Sequence, residues 1–231
     1  MKGRVKILVD MAMYVLMVYL MGYRAGSGLL RHGVYGCVLF GLFVLHHVLN
    51  IKWYRGLGRG RYPLGRILFV GTDMVLLGGM GLMAVSAVMM SGDVFAASPF
   101  TVTQRARDLH NLGTSWGFAL MGVHLGFHTR GLLGKVYRTM KETVFAYVYD
   151  LVFLLVLAAG ISCFFSSGIW RNMFLISNEN MAFAPLKFYG ECVMTTAGTC
   201  QAVWAVTVLG RKSGGKRFIS VEGKNDDEDN G

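Results

Sequence analysis

Six apolar runs, near residues 7–22, 33–51, 67–91, 109–128, 145–166 and 189–209, constrain this chain more than any other feature of it. A helix needs roughly 20 residues to cross a bilayer core of about 30 Å, and each run is close to that length. Pro63, Pro99 and Pro185 all fall between runs, where a missing backbone donor does no harm. A chain of 231 residues that is 54% hydrophobic yet carries a formal charge of +10 is unusual for a soluble domain. The expectation is an all-α integral membrane protein with six transmembrane helices over residues 1–210. The polar remainder, 211–231, cannot bury enough apolar surface to fold alone and reads as a disordered cytoplasmic tail. Lys2, Arg4 and Lys6 precede the first run as in a signal peptide, but Asp10 interrupts it and no small-residue cleavage site follows. A retained first helix is expected.

The basic residues give this arrangement an orientation. Of the 23 Lys and Arg residues, 17 fall on one side: Lys2, Arg4 and Lys6; Lys52, Arg55, Arg59, Arg61 and Arg66; Arg130, Lys135, Arg138 and Lys141; and five after residue 210. Arg24, Arg31, Arg105, Arg107, Arg171 and Lys187 fall on the other. The positive-inside rule then places both termini of a multi-pass membrane protein in the cytoplasm. Charge therefore reports topology, and no aromatic-basic motif points to nucleic acid. The glycines of GLGRGR (56–61) lack a preceding strand and a following GK[ST], so 50–66 reads as a basic loop and not as a phosphate cradle. Cys37, Cys163, Cys192 and Cys200 form no CxxC or CxxCH, which argues against a redox dithiol, a zinc knuckle and covalently attached haem.

All six histidines belong to two of the runs: His32, His46 and His47 to the second, His110, His124 and His128 to the fourth. Ionisable groups in a membrane are expensive and mark functional sites by default. The intervals are matched, since 14 residues separate His32 from His46 and 14 separate His110 from His124. On a helix, 14 residues return to the same face within about 40° and climb roughly 21 Å. The second and fourth runs are separated by one crossing, so they point the same way and present two facing pairs at two depths. A pair of neutral imidazoles across a bundle is what six-coordinate haem iron requires, with the porphyrin supplying the four equatorial nitrogens. His32, His46, His110 and His124 are thus the candidate iron ligands of two non-covalent b haems in a four-helix core.

His47, about 100° around the helix from His46, and His128, one turn beyond His124, are the alternative ligands at the inner depth. Gly36, Gly113 and Gly117 lie near the histidine stripes, where small residues admit a flat ring; Gly113 and Gly117 equally suit a small-xxx-small helix contact. Arg31, Arg105 and Arg107 on one side, and Lys52, Arg55, Arg59 and Arg61 on the other, are available to haem propionates.

The stretches RHGVYG (31–36), VLHHVLNIKWY (44–54), RGRYPLGR (59–66) and ARDLHNLGTSWGFALMGVHLGFH (106–128) together resemble the bacterial membrane cytochromes b related to the transmembrane ferric reductase and NADPH oxidase core. One bacterial branch of that family is designated a domain of unknown function. The resemblance covers about residues 5–130 and rests on the two histidine pairs and the Asn50-x-x-Trp53-Tyr54 ending. It implies a di-haem b subunit passing electrons across the membrane, with His32, His46, His110 and His124 as axial ligands. The flavin and nicotinamide domain of the larger family members has no counterpart here, and SPFT (98–101) matches their flavin-binding HPFT only by coincidence. The resemblance therefore implies a redox partner, a flavoprotein or iron-sulfur protein, or a membrane quinone.

Asp10, Asp73 and Asp150 lie near the cytoplasmic ends of their runs and are expected to pair with Lys6, Arg66 and Lys141. Trp170, Arg171, Asn178 and Glu179 sit in the longest outer connection, where interfacial anchoring is the first expectation and an acceptor site the second. Two other functions compete with electron transfer. A histidine-based metal or proton transporter predicts histidines gathered at one depth with carboxylates beside them; a non-redox membrane anchor leaves the matched spacing without a purpose.

Overall fold

The computed structural model describes residues 2–22, 28–90, 103–176 and 184–225, and among these the chain forms helices and no strand. In order they are α1 (Lys2–Met21), α2 (Leu29–Leu49), α3 (Ile51–Leu57), α4 (Leu64–Met90), α5 (Gln104–Lys141), α6 (Ala146–Ser166), α7 (Ile169–Met173) and α8 (Pro185–Asn225). Each of the six apolar runs falls on one of the long helices to within two residues at its ends, with residue 91 outside the described residues. Three of them, α2, α4 and α6, are long and apolar enough to cross a membrane. The others carry more polar residues. In α1 these are Arg4, Lys6 and Asp10; α5 and α8 instead hold polar side chains against the protein, with Ser115, Glu191, Thr195 and Thr196 buried.

Short helices occupy two connections expected to be loops. Asn50, at φ −105°, interrupts the helix between α2 and α3. Its side-chain amide donates to the His46 carbonyl at 2.9 Å, and Lys6 Nζ donates to its Oδ1 at 2.8 Å. The basic segment 50–66 is therefore partly helical and tied to α1. On the far side, Gly168 takes a left-handed conformation (φ 73°) that any Cβ would strain, and this turn separates α6 from α7. Helix α7 then lies against α5, where Trp116 Nε1 donates to the Met173 carbonyl at 3.1 Å. Helix α8 continues to Asn225, across the boundary expected at 210/211. Arg24, SPFT (98–101), Asn178 and Glu179 fall outside the described residues.

The packing order is set by small residues. At the α6–α8 crossing, a Cβ on Gly160 would sit 2.8 Å from the Gly198 Cα, so the two backbones touch directly. Helix α8 meets α5 the same way, with Gly126 against Val203 and Gly122 against Thr199. On the other side of α5 lies α4, with Gly113 against Met83. Helix α1 pairs with α2 and reaches α8 through a hydrogen bond from the Tyr14 hydroxyl to Thr196 Oγ1 at 3.2 Å. Met17, Val18, Leu20, Leu39, Phe118, Ile169 and Cys192 form the packed core where α1, α2, α5, α7 and α8 converge. Helix α2 does not pack along α5; it is held by α1 and faces α5 across a gap. All four cysteines are free.

Candidate functional site

Both ends of that gap are occupied by histidines. At one end the His32 ring, near the start of α2, lies 6.1 Å centroid to centroid from the His110 ring, near the start of α5, at an interplanar angle of 73°. At the other end His46, His47, His124 and His128 line a single cavity of about 390 Å³ between α1, α2, α3, α4 and α5. Since both pairs of levels coincide, α2 and α5 run in the same direction, as the 14-residue intervals require. The cavity volume lies in the ordinary range for small-molecule and cofactor pockets. Met13, Leu39, Phe43, Leu77, Met80 and Met121 make most of its wall apolar.

The two outer rings are close enough to share an ion, and they also stand at an ordinary edge-to-face contact distance. Two imidazoles that each bind one metal ion at about 2.0–2.1 Å set their centroids about 6 Å apart. That separation is what His32 and His110 have, although their helices are not otherwise packed together. Behind His110, the buried Ser86 hydroxyl of α4 lies 3.4 Å from Nδ1 and donates to the Met83 carbonyl at 2.8 Å.

At the inner level the second ring nitrogen of each candidate ligand is held by an acid. His46 Nδ1 lies 2.7 Å from Asp10 Oδ1, bridging α2 to α1, and His124 Nδ1 lies 2.6 Å from Asp73 Oδ1, bridging α5 to α4. An ionised carboxylate only accepts hydrogen bonds, so in a neutral imidazole Nδ1 carries the proton and Nε2 keeps its lone pair. This is the tautomer a metal ligand needs. The expected pairings of Asp10 with Lys6 and of Asp73 with Arg66 are corrected here. Lys6 is engaged by Asn50, while Arg66 donates to the Arg61 and Gly56 carbonyls and stacks 4.0 Å over the Tyr62 ring. Asp150 pairs with Lys141 as expected, at 2.5 Å.

His47 is placed differently. Its Nδ1 lies 2.6 Å from the Tyr54 hydroxyl, and Tyr54 both donates and accepts, so this contact does not fix the tautomer. Burial, and then the neighbouring Asp73 carboxylate, push the Tyr54 phenol above its ordinary value, which keeps it protonated. His47 Nε2 is buried with no hydrogen-bond partner, a polar atom that a group bound in the cavity would satisfy. His128 lies beside His124, with ring centroids 4.5 Å apart, and against Phe69 at 5.4 Å.

The glycines divide. Gly117 lines the cavity, with Met80 and Met17 just beyond where a Cβ would stand; Gly113 is pressed against Met83 and serves the α4–α5 contact; Gly36 faces open space. Arg31, Arg55 and Arg107 are exposed near the ends of α2, α3 and α5. Trp170 donates to the Phe165 carbonyl at 3.2 Å and carries Arg171 on its ring face, which is an anchoring arrangement.

Sequence reasoning missed three partners of the histidines: Asp10 and Asp73, which it gave to cations, and Ser86. Tyr54 enters the sequence pattern only through the Asn50-x-x-Trp53-Tyr54 ending, of which Asn50 holds His46 and Tyr54 holds His47, and all three residues line the cavity. Among the described residues, no group of three or more His, Cys, Asp or Glu side chains converges as a metal-ion site. A haem makes a smaller demand, two imidazole nitrogens per iron, and the histidines and apolar walls of the gap fit it, the unpartnered Nε2 of His47 keeping His47 beside His46 as a candidate at the inner level. Comparisons with family models, with curated proteins and with solved structures find no match to this chain.

Proposed function

We propose that this chain is a six-span membrane cytochrome b, similar to the ferric reductase and NADPH oxidase core. Helices α1, α2, α4 and α5 form the bundle that holds two non-covalent b haems. Each haem, when bound, supplies a reversible one-electron iron couple. The chain's own residues do the rest. His32 and His110 would hold the outer haem iron and His46 and His124 the inner one, the inner pair through Nε2 because Asp10 and Asp73 hold Nδ1. The apolar wall excludes water; Arg31 and Arg107 at one end and Arg55 at the other supply cations for propionates. The protein sits in the bacterial cytoplasmic membrane with both termini cytoplasmic and serves as an electron-transfer subunit. It exchanges electrons with quinone, a flavoprotein or iron-sulfur partner, or an extracellular acceptor.

The observation that carries this reading is the 6.1 Å approach of His32 and His110 across a gap that their helices do not close, with two carboxylate-held histidines, His46 and His124, lining one cavity 14 residues further on. Haem content per chain in alanine variants tests it. His110→Ala and His124→Ala each leave one haem, and the double variant leaves none; unchanged content in either single variant contradicts the assignment. His46→Ala removes the inner haem and His47→Ala does not, and the reverse result transfers the ligand role to His47.

A further inference from the structure

One face of α1 lines the inner cavity. Lys6, Asp10, Met13, Tyr14 and Met17 all reach its wall, at the intervals of three and four residues that a helix places on a single stripe. The stripe changes character along the helix. Its deep part is mostly apolar, whereas Lys6 stands at the end where α2 gives way to α3 and donates from Nζ to Asn50 Oδ1 at 2.8 Å. Asn50 in turn donates to the His46 carbonyl at 2.9 Å, so the ammonium is tied to the turn that follows a candidate ligand.

Among the residues that line this cavity, Lys6 is the one lysine or arginine. It is half-buried, while Lys52 and Arg55 on α3 are exposed and do not line the cavity. An ammonium has N–H donors beyond the one given to Asn50, and Asn50 is a neutral acceptor that leaves its charge uncompensated. Asp10, the next polar residue on the stripe, is turned to His46 Nδ1 at 2.7 Å. A cation with donors to spare at one end, and an apolar interior beyond it, suit an amphiphile that carries an acid group on its edge.

Resting on the di-haem reading above, we infer that Lys6 binds a propionate of the inner haem and so fixes which edge of the ring faces α3. Asn50 positions the ammonium for that contact. Lys6 governs retention and orientation, and it ligates no iron.

The test is the rate of haem transfer from the purified full-length protein to an excess of apo-globin. The His110→Ala background retains only the inner haem. There Lys6→Met, which keeps the length of the side chain and removes its charge, is expected to speed release by about three- to tenfold, and Lys6→Arg to stay within about twofold of the parent. In the His124→Ala background, which retains only the outer haem, Lys6→Met leaves the rate unchanged. Repeating the measurement after exchange into haem dimethyl ester separates charge from packing, because the ester offers no acid group; Lys6→Met is expected not to change its release. Equal acceleration of haem and ester means that Lys6 only ties α1 to α3, and overturns the inference. An inner haem indifferent to Lys6→Met overturns it too and leaves the di-haem reading standing. Should Lys6→Met not accumulate, Asn50→Asp, which sets a carboxylate against Lys6 and takes up its charge, is expected to give the same contrast between haem and ester, and its absence overturns the inference. A wild type that carries no haem removes the di-haem reading, and this inference with it.

Discussion

Replacing Gly160 by valine probes the close packing of α6 against α8. A Cβ at residue 160 would lie 2.8 Å from the Gly198 Cα, 3.0 Å from the Met194 carbonyl oxygen and 3.2 Å from the Gly198 nitrogen. All three are backbone atoms, and carbon atoms rest at about 3.5–4.0 Å. No rotamer change relieves the overlap, so α6 and α8 must separate by several tenths of an ångström along a contact that has no side chains to fill the opening. Overpacking of this kind costs about 1–3 kcal/mol, and the two γ-methyls of valine place the change toward the upper end. The gain in helix propensity over glycine offsets only a few tenths of a kcal/mol. For a chain of this length, the loss corresponds to a fall of about 2–12 °C in unfolding midpoint, read from tryptophan fluorescence in detergent. Trp204 reports directly, since its ring sits 5.5 Å from Phe153 across the same pair of helices. Gly36→Val is the control, because a Cβ there meets nothing within 4 Å. Equal stability of the two variants, or a larger loss at Gly36, refutes the close crossing.

Two further expectations concern polar contacts. Tyr54→Phe deprives His47 Nδ1 of its partner and is expected to lower stability by about 1–2 kcal/mol in the same unfolding assay while leaving haem content unchanged; loss of a haem would make Tyr54 part of the ligand-holding machinery. The hydrogen bond from exposed Lys141 to Asp150 raises the Lys141 value above its ordinary 10.5. Its contribution is therefore fully present below the ordinary lysine range and is lost as pH rises through the raised value. Unfolding midpoints of wild type and Lys141→Met are expected to differ slightly near neutrality, to converge above that value and to converge also at high salt. A difference that grows in alkali contradicts the pairing.

The apolar runs and the 14-residue intervals were legible because both are periodicities within one helix, and a helix imposes its 3.6-residue repeat on everything it carries. They correctly located the six long helices and the encounter of His32 with His110. Contacts between helices leave no such trace. Asp10 and Asp73 are one or two turns from Lys6 and Arg66 along their own helices, which made those cations the nearest partners on paper. Their actual partners, His46 and His124, are 36 and 51 residues away and adjacent only after α1 packs on α2 and α4 on α5. Ser86 was silent for a related reason, since a serine in an apolar run commonly bonds its own backbone, as this one also does to Met83. The helical character of α3 and α7 was hidden by glycines and basic residues that read as loop. Gly113 and Gly117, equivalent in sequence, separate only in three dimensions, one against Met83 and the other at the cavity wall.

The most direct measurement is a dithionite-reduced minus oxidised absorption spectrum of the protein purified from haem-replete cells, with haem per chain determined as the pyridine haemochrome. The proposed di-haem centre predicts a b-type spectrum and two haems per chain. A protein that carries none contradicts the reading of the site as a di-haem centre, and one haem per chain contradicts one of its two levels.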